Sequence, residues 1–418
     1  MRKIQLLSFL FLSVLIASAQ SNFRVMSYNL LNFPQGQMPS RIDTLEIILD
    51  AYRPDLFMIQ ELKSEAGLNQ IEDALDNLGY ANFAAAEFIS QQSTPGTPNP
   101  LQQSLLFNQS KFGLKDQGYV ITIHRDINYY RLFIKDSQLE NGADTTFFYA
   151  VVCHLKSSEG NANEQDRLEM VESYMEWHNS LDENALVIFA GDYNVYYSAE
   201  PCYQALLSVA NTPRFYDPIS SPGSWNNNPG FSAIHTQCTR TNNIFNDGAS
   251  GGMDDRFDQI LMSEMFFDNA STLRYADDTY AAFGNSGDCF NENITDCNGG
   301  VLSDAVMSAL YYMSDHLPVI LELESDLSLS TQNLASASFE IRDAGVAGKF
   351  NVNSNGGMLN WTVYSYIGQE LQRGSQLLNQ GQESIQIPLN YLPIGTYVIL
   401  FKQEEQYLGL KYLNTQTW

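Results

Sequence analysis

Short apolar segments of strand length alternate with segments of helical spacing between residues 23 and 323. A chain that alternates these two patterns can bury both only by packing helices against sheets. Helices are predicted at 41–51, 67–78 and 164–178. Strands are predicted at 23–27, 56–59, 104–107, 129–134, 146–152, 186–190, 259–262 and 317–323. The pattern therefore predicts one large α/β domain over residues 20–324.

The character of the sequence changes after Glu324. Residues 325–338 are rich in Ser, Leu, Asn and Ala and predict a linker. Beyond them lie six strand-like segments, FEIRD, KFNVNSN, WTVYSY, ESIQIPLN, TYVILFKQ and YLGLKYL. Gly356-Gly357, Gly368 and Gly395 are predicted to form turns between them. Residues 339–418 are long enough for a separate domain and predict an all-β sandwich.

The N-terminus has the pattern of an export signal. Arg2 and Lys3 precede an apolar stretch, IQLLSFLFLSVLI, that is too short for an ordinary membrane span. Ala17-Ser18-Ala19 follows and fits a small-x-small cleavage site. We expect a signal peptide at residues 1–19 and a secreted or cell-surface protein. The alternative is an uncleaved anchor, but the sequence has no second apolar run that would favour stable membrane insertion.

The charge of the chain is strongly acidic, with a formal net charge of -26. Such a surface repels phosphate at long range, which argues against a protein that coats nucleic acid. A nuclease with local, cation-assisted contacts remains compatible. Residues 111–156 hold six Lys and Arg against five acids, whereas residues 241–316 hold thirteen acids and two arginines. The first region is the better candidate for phosphate contact, with a solvated face of mixed charge as the alternative.

Five cysteines agree with export. Cys289 and Cys297 lie in one polar loop and are predicted to form a disulfide. Cys202 and Cys238 flank a loop-rich segment and are the candidates for a second pair. Cys153 lies inside a strand-like run and is predicted to be a buried free thiol. The sequence contains no CxxC pair, so a structural zinc site is not expected.

Polar side chains stand at the ends of the apolar strands. The set comprises Asn29, Glu61, His154, Asp192, Asn194, Asp258, Asp315 and His316. Taken singly, each has an ordinary structural interpretation: a turn former, a helix cap or a satisfied histidine. Because ligands bind where strand ends converge, the full set predicts an oxygen-rich cation site beside an acid/base pair.

The order of these segments resembles a known family. RVMSYNLLNF, DLFMIQEL, CHLKSS, VIFAGDYN, RFDQILMS and SDHLPV look like the motif series of the endonuclease/exonuclease/phosphatase superfamily. The resemblance covers about residues 23 to 323, and GDxN and SDHxPV are specific motifs. It implies a deoxyribonuclease I-like fold, a two-sheet β-sandwich flanked by helices, with the site at one rim.

The resemblance also implies roles for the residues that match its motifs. Glu61 would hold the divalent metal with Asn29 beside it. Asp315 would lie on the same side of the site and support the metal. Asp192 and Asn194 would place the attacking water and a phosphate oxygen. These oxygen ligands suit Mg²⁺, with Mn²⁺ as an alternative.

The two histidines complete the implied site. Asp258 would orient His316, the base or phosphate-contacting histidine, and His154 would face the leaving oxygen or the phosphate. His154 matches deoxyribonuclease I, sphingomyelinases and inositol phosphatases rather than abasic-site enzymes. The acid that orients this histidine in deoxyribonuclease I is missing from residues 88–110. Gln102 or Gln103 is a candidate substitute, or the partner lies elsewhere.

The glycine-rich loop 246–255 contains Asp247, Asp254 and Asp255. We interpret it as a flexible solvated loop, with a structural Ca²⁺ site as the alternative. The C-terminal segments WTVYSYIGQELQRG, SIQIPLNYLPIGTYVILF and YLGLKYL resemble the C-terminal sorting domain of type IX secretion. This resemblance implies the type IX secretion machinery as a partner, and an adhesive β-sandwich is the alternative.

The segments NLLNF, HLKSSEG and GDYNVYYSAEPCYQAL are most similar to bacterial extracellular nucleases. The resemblance implies a monomeric, metal-dependent endonuclease acting on DNA, or less favourably on RNA. Two alternatives come from other classes. One is a phosphoesterase acting on lipid or small-molecule substrates, such as a sphingomyelinase-like enzyme. The other is a catalytically silent binding module, whose expected sign would be the loss of a metal or histidine residue.

Overall fold

The computed structural model describes residues 21–36, 38, 40–96, 100–135, 145–300, 302–325, 327, 340–343, 348–365, 370–389, 392, 395–403 and 406–414. The predicted signal peptide at 1–19 and nearly all of the predicted linker lie outside these residues. The chain divides into two compact units, Met1–Ser330 and Thr331–Trp418. In the described part of the chain, no helix has the length and apolar character needed to cross a membrane.

The strands of the first unit are β1 (Ser21–Phe33), β2 (Leu56–Leu62), β3 (Phe83–Ala85), β4 (Gln102–Asn108), β5 (Phe112–Val120), β6 (Ile127–Ile134), β7 (Phe147–His154), β8 (Val187–Asp192), β9 (Phe215–Tyr216), β10 (Asp258–Ser263), β11 (Arg274–Tyr275), β12 (Ala281–Ala282) and β13 (Val319–Ser325). Its α-helices are α1 (Arg41–Tyr52), α2 (Glu65–Asn77), α3 (Asn161–His178), α4 (Pro201–Leu206) and α5 (Asp304–Met313). Short 3₁₀ helices span Pro229–Ile234, Glu264–Phe267 and Ile294–Asp296.

Local sequence explains where several helices begin. Ser64 caps α2 by accepting a hydrogen bond from the amide of Gly67, and Ser303 caps α5 by accepting one from Val306. α1 buries Leu45, Ile48, Leu49 and Tyr52, whose spacing of three or four residues places them on one face.

The strands form two sheets. The first has the order β11-β13-β1-β2-β4-β3, with β12 also paired to β13. The second has the order β5-β6-β7-β8-β10-β9. One apolar core contains side chains from both sheets, including Val25 and Met58 from the first and Val152 and Ile188 from the second. The two sheets therefore pack face to face as a β-sandwich.

Helices cover both outer faces of the sandwich. A second core joins the first sheet to α1, α2 and α5, where Ile48, Ile71 and Leu310 are buried. A third core joins the second sheet to α3 and α4, where Val171 and Leu206 are buried. The prediction of a two-sheet sandwich flanked by helices is confirmed.

Most predicted elements of the first unit are present, and several extend beyond their predicted ends. β1 and β7 continue through Asn29 and His154 because their backbones remain paired with β2 and β8 at these residues. Five strands and two α-helices in the described part of this unit were not predicted: β3, β5, β9, β11, β12, α4 and α5. β5 is interrupted in its middle by Lys115, Asp116 and Gln117, so it lacks a continuous apolar run.

The second unit is an all-β sheet with its own core. Its strands are β14 (Glu340–Asp343), β15 (Lys349–Ser365), β16 (Glu370–Gln386), β17 (Gly395–Gln403) and β18 (Gln406–Asn414). Phe350, Leu359, Ile385 and Phe401 belong to one buried cluster. The predicted turn at Gly356-Gly357 is wrong. Both glycines lie inside β15 with φ of 87° and 115°, a conformation that glycine adopts without a steric penalty, so the strand continues through them.

The cysteine predictions have mixed outcomes. Cys289 and Cys297 form the expected disulfide, with Cα atoms 4.8 Å apart. Cys153 is a buried free thiol, as predicted. The second pair is wrong because Cys202 and Cys238 are both free and buried. Cys202 packs in the core beneath the second sheet, whereas Cys238 donates to the carbonyl oxygens of its own loop.

Candidate active site

Six strand ends meet at one rim of the sandwich. β1 runs parallel to β2 and β7 runs parallel to β8, so their carboxyl ends lie side by side in each sheet. β10 is antiparallel to β8 and β13 is antiparallel to β1, which brings their amino ends to the same rim. The site residues predicted from the sequence stand at these ends.

Asn29 lies at the centre of the site and is fully buried. Its Nδ2 donates to Oε1 of Glu61 at 3.1 Å and to Oδ2 of Asp192 at 3.1 Å. The same nitrogen lies 3.4 Å from Nε2 of His316. Asn29 therefore connects the first sheet to side chains of the second sheet and of the segment before β13.

His316 is held by an aspartate from the facing sheet. Its Nδ1 lies 2.7 Å from Oδ2 of Asp258, and both side chains are buried. Burial alone would lower the pKa of His316, but the carboxylates of Asp258, Asp315 and Asp192 outweigh it and hold that pKa well above its usual range. The contact to Asp258 leaves Nε2 as the imidazole nitrogen that faces the other site residues.

His154 approaches the same carboxylates from the end of β7. Its Nε2 lies 3.5 Å from Oδ2 of Asp192 and 4.0 Å from Oε1 of Glu61. Burial, followed by the charges of Arg125 and His316, lowers the pKa of His154 well below its usual range. Thus the two imidazoles have pKa values that are shifted in opposite directions.

Among the described residues of 88–110, none forms a hydrogen bond with the imidazole of His154. Nδ1 of His154 is buried and has no hydrogen-bond partner among the residues described. Gln102 and Gln103 lie on β4, in the other sheet, and neither is bonded to His154. The contact from Arg125 is to the backbone, because its Nη1 donates to the carbonyl oxygen of His154 at 3.4 Å.

Asp192 is the last residue of β8, and Asn194 lies in the turn that follows it. Oδ1 of Asp192 accepts the amide of Asn194 at 3.0 Å, and Nδ2 of Asn194 donates to the carbonyl oxygen of Leu155 at 3.3 Å. Asn194 has a φ of 53°, a left-handed conformation that asparagine tolerates. Burial, opposed by His316, raises the pKa of Asp192 to about 7.

Glu61 and Asp315 complete the predicted set. Glu61 Oε2 accepts the amide of Asn32 at 3.0 Å, and its pKa is raised by burial and by the charge of Asp315. Asp315 Oδ2 accepts the amide of Ala249 at 2.6 Å. Its other oxygen, Oδ1, is buried without a hydrogen-bond partner in the described part of the chain. All eight predicted residues thus contribute to one connected site.

Asp192, Asp258 and His316 place ligand atoms within 4.8 Å of one another, which makes them a buried group able to hold a metal ion. Oδ2 of Asp258 and Nδ1 of His316 are already bonded to each other. A metal there would have to compete with that contact. In contrast, Asp247, Asp254 and Asp255 form no such group among the residues that the structure describes.

Gln237 is a site residue that the sequence did not indicate. Its Nε2 donates to Oδ2 of Asp315 at 3.1 Å and lies 2.6 Å from Nε2 of His316. It lies in an irregular loop and reaches the site through an isolated bridge to His316. A polar residue in a loop carries no periodic pattern, so no sequence signal distinguished it.

The sequence profile of the Endonuclease/Exonuclease/phosphatase family matches residues 26–316. That span covers more than half of the chain and includes every residue of the site.

The chain belongs to the endonuclease/exonuclease/phosphatase family.

Members of the endonuclease/exonuclease/phosphatase family are hydrolases that act on phosphodiester bonds. A search of curated proteins finds no match to this sequence.

Solved structures provide further comparisons. The chain is similar to D. rerio TDP2 complexed with single strand DNA product, at 16% identity and a TM-score of 0.47, over 72% of this chain and 99% of that one. It is similar to the human Nocturnin catalytic domain with bound sulfate anion, at 16% identity and a TM-score of 0.45, over 72% of this chain and 93% of that one. A Beutenbergia cavernae endonuclease/exonuclease/phosphatase matches at 13% identity and a TM-score of 0.43, over 94% of this chain and 100% of that one.

Proposed function

We propose that this chain is a secreted, metal-dependent phosphodiesterase, an extracellular endonuclease that hydrolyses DNA, with RNA as a second substrate. The observation that carries the proposal is the approach of two imidazoles to one carboxylate oxygen. Nε2 of His154 and Nε2 of His316 lie 3.5 Å and 3.8 Å from Oδ2 of Asp192. Histidines from distant parts of the chain that face one point can bind and protonate a single phosphate.

The roles of the two histidines follow from their contacts. His316 is fixed through Nδ1 by Asp258, so Nε2, which lies 2.6 Å from Nε2 of Gln237, is the nitrogen that would contact a phosphate oxygen or move a proton when substrate takes the place of that neighbour. His154 faces the leaving oxygen or the phosphate from the opposite strand end. Asp258 is a positioning residue because it acts through His316.

Asp192 and Asn194 place the attacking water and a phosphate oxygen. Their turn is held at both ends, by the bond from the Asn194 amide to Asp192 and by that from the Asn194 side chain to Leu155. A water held in line with the leaving oxygen needs no covalent nucleophile on the enzyme.

The residues present fit a divalent metal. Oδ1 of Asp315 is buried without a hydrogen-bond partner among the described residues, and the Glu61 carboxylate is buried and feels its charge, so both offer carboxylate oxygens to a cation. Glu61 would hold the metal, with Asn29 beside it and Asp315 supporting it. Carboxylate and amide oxygens suit Mg²⁺, with Mn²⁺ as the alternative. When bound, the cation supplies charge that stabilises the anionic transition state of phosphodiester hydrolysis.

A second candidate function is hydrolysis of lipid phosphodiesters. Ile244 is 58% exposed and Tyr312 is 45% exposed. Phe245, next to Ile244, contacts the ring of Tyr312. The loop that carries Ile244 and Phe245 reaches the site, because the amide of Ala249 in the same loop donates to Asp315. Exposed apolar side chains beside a phosphodiesterase site favour contact with a lipid surface.

One side-by-side assay separates these functions. The purified protein is incubated with plasmid DNA, RNA and sphingomyelin, each with Mg²⁺ and with EDTA. We expect cleavage of DNA in Mg²⁺ and none in EDTA. Release of phosphocholine with intact DNA would support the lipid function. Binding of DNA without turnover of any substrate would identify a silent binding module and contradict the proposal.

The proposed location is outside the cell, either secreted or on the cell surface. The signal peptide predicted at residues 1–19 supports it, and so does the disulfide between Cys289 and Cys297, since disulfides persist in oxidising compartments. The second unit, an all-β sheet, would be the element recognised by the type IX secretion machinery. We expect the secreted enzyme to be a monomer.

A further inference from the structure

A cavity of about 320 Å³ opens beside the proposed active site. Its lining includes Gln91, Thr94, His124, Arg125 and Lys156. The six basic residues between positions 111 and 156 are neighbours in the sequence, but the structure separates them. Only Arg125 and Lys156 of that group of six line the cavity.

The other basic residues of the region have positions elsewhere. Lys111 pairs with Asp55 at 2.6 Å, and Arg131 lies 3.8 Å from Asp116. Lys115 is exposed on β5, and Lys135 Nζ donates to the carbonyl oxygen of Gln109 at 2.6 Å. The cavity is therefore a defined site and not a general feature of a basic face.

The cavity begins where the proposed active site ends. Arg125 Nη1 donates to the carbonyl oxygen of Leu155 at 3.0 Å and lies 3.4 Å from that of His154. Lys156 is two residues beyond His154 in the chain. A group bound in the cavity would thus adjoin the group that contacts His154.

The wall of the cavity is held by hydrogen bonds between two loops. Asp126 is buried and accepts the amides of Gln92 and Ser93 at 2.6 Å and 2.7 Å, and the Ser93 hydroxyl at 2.5 Å. Gln91 Nε2 donates to the carbonyl oxygen of His124 at 2.7 Å. A cavity built this way is already formed before a ligand binds.

The charge of the cavity differs from that of the chain. The protein has a net charge of -26, yet none of the described residues that line the cavity is acidic. Two carboxylates behind the lining already have partners: Asp166 on α3 is bonded to Nε2 of His124 at 2.8 Å, and Asp126 accepts from Gln92 and Ser93. Cationic side chains with flanking polar groups in an acidic protein make a local attraction for an anion.

We propose that this cavity binds the phosphate next to the scissile phosphodiester. Lys156 supplies the main positive charge, and His124, which is held by Asp166, supplies a polar contact. The proposal rests on the proposed function and deepens it. It makes the substrate a polynucleotide strand with at least two consecutive phosphates, because phosphate contacts by basic side chains fix the register of a strand. A phosphodiester without a flanking phosphate would leave the cavity unused.

The test uses the full mature protein in Mg²⁺ and three single-stranded probes. The first is a thymidine dinucleotide with one phosphodiester. The second is a thymidine trinucleotide with two. The third is a trinucleotide whose flanking linkage is an uncharged methylphosphonate, prepared with the neutral linkage on either side. We expect kcat/KM for the trinucleotide to exceed that for the dinucleotide by about tenfold or more, the size of a charge-assisted contact. One of the methylphosphonate probes should lose this gain.

The variants assign the gain to the cavity. Lys156→Gln should reduce the trinucleotide advantage to less than about threefold, mainly through KM, and Lys156→Arg should restore it because the charge returns. Lys115→Gln makes the same change of charge on β5, outside the cavity, and should keep the advantage of the parent protein.

The two proposals fail in different ways. If the parent protein cleaves none of the probes and no plasmid DNA, the proposed function is wrong. If it cleaves the dinucleotide and the trinucleotide with equal kcat/KM, the nuclease function stands and the phosphate site is wrong. An advantage that Lys156→Gln and Lys115→Gln reduce equally would also overturn the assignment, because it would reflect overall charge.

Discussion

The imidazole of His316 and the carboxylate of Asp258 are in contact, with Nδ1 and Oδ2 2.7 Å apart. Asp258 opens β10 in the second sheet, whereas His316 precedes β13 in the first. Both side chains are buried, so solvent does not compete for this hydrogen bond. The pairing directs Nε2 of His316 towards Oδ2 of Asp192. Nε2 of His154 approaches the same oxygen from the end of β7.

The first prediction concerns this pair. Asp258→Asn removes the charge that orients and supports His316, so we expect it to resemble His316→Ala. Both should lower kcat/KM for DNA by roughly 10²-fold or more, the usual size of a general acid–base contribution. Steady-state cleavage in Mg²⁺ measures this effect. Asp73→Asn makes the same change at an exposed position on α2 and should retain parent activity. Parent-like cleavage by Asp258→Asn would show that His316 does not depend on its partner.

The second prediction concerns the two histidines together. His154→Ala and His316→Ala should each lose rate by roughly 10²-fold or more. The double variant should lose much less than the product of the two, since residues that act as a unit are non-additive. Single-turnover cleavage of DNA by all four proteins gives the comparison. Losses that multiply would mean that the histidines act independently, and two single variants at the parent rate would remove the catalytic assignment.

The third prediction concerns the metal. Glu61→Gln should lose most hydrolytic activity while the protein stays folded, because the amide lacks the negative charge that we propose holds Mg²⁺. A readout independent of activity is available. Mg²⁺ should raise the Tm of the parent protein, since a ligand that binds the native state stabilises it, and should raise that of Glu61→Gln much less. A variant that remains fully active in EDTA would exclude a metal at Glu61.

The fourth prediction concerns pH and stability. His178 is buried, donates from Nε2 to the carbonyl oxygen of Pro213 and accepts from the hydroxyl of Tyr174. Burial lowers its pKa from 6.5 to about 4. Between these pH values the unfolded chain binds more protons, so the contribution of His178 to the free energy of unfolding is present above about pH 6.5 and is lost towards pH 4. The loss should reach about 3 kcal/mol.

His178→Gln isolates this contribution because it keeps a donor and an acceptor but does not titrate. Other buried groups change with pH in both proteins, so the difference between them is the relevant quantity. Urea unfolding at several pH values should show the parent losing its advantage over the variant as pH falls from 6.5 to 4. A difference that is constant with pH would mean that His178 is not buried in its neutral form.

The fifth prediction concerns the second unit. Because each unit has its own core, we expect purified residues 20–330 to retain hydrolytic activity without the tail. In cells, deletion of residues after about 338 should abolish export or surface attachment while the enzyme itself stays active. Complete inactivity of folded 20–330 would place part of the active site in the tail.

Much of the fold followed from local patterns. Apolar segments such as Leu56–Ile59 and Leu186–Ala190 predicted β2 and β8 because a buried strand needs a continuous apolar run. Strand ends and turn positions were harder to place. Gly356-Gly357 was predicted as a turn, but backbone pairing along β15 outweighed the local preference of glycine.

By itself, the sequence determined the fold class and the eight polar residues of the site, because each follows or precedes an apolar strand and all stand in a recognisable order. Only the tertiary structure decided how they meet. Sheet register sets Asp192 opposite His154 and Asp258. Long-range packing brings Gln237 to His316 and leaves Cys202 and Cys238 as separate thiols. Such contacts depend on how distant segments cross in space, and no local pattern in a single chain records that geometry.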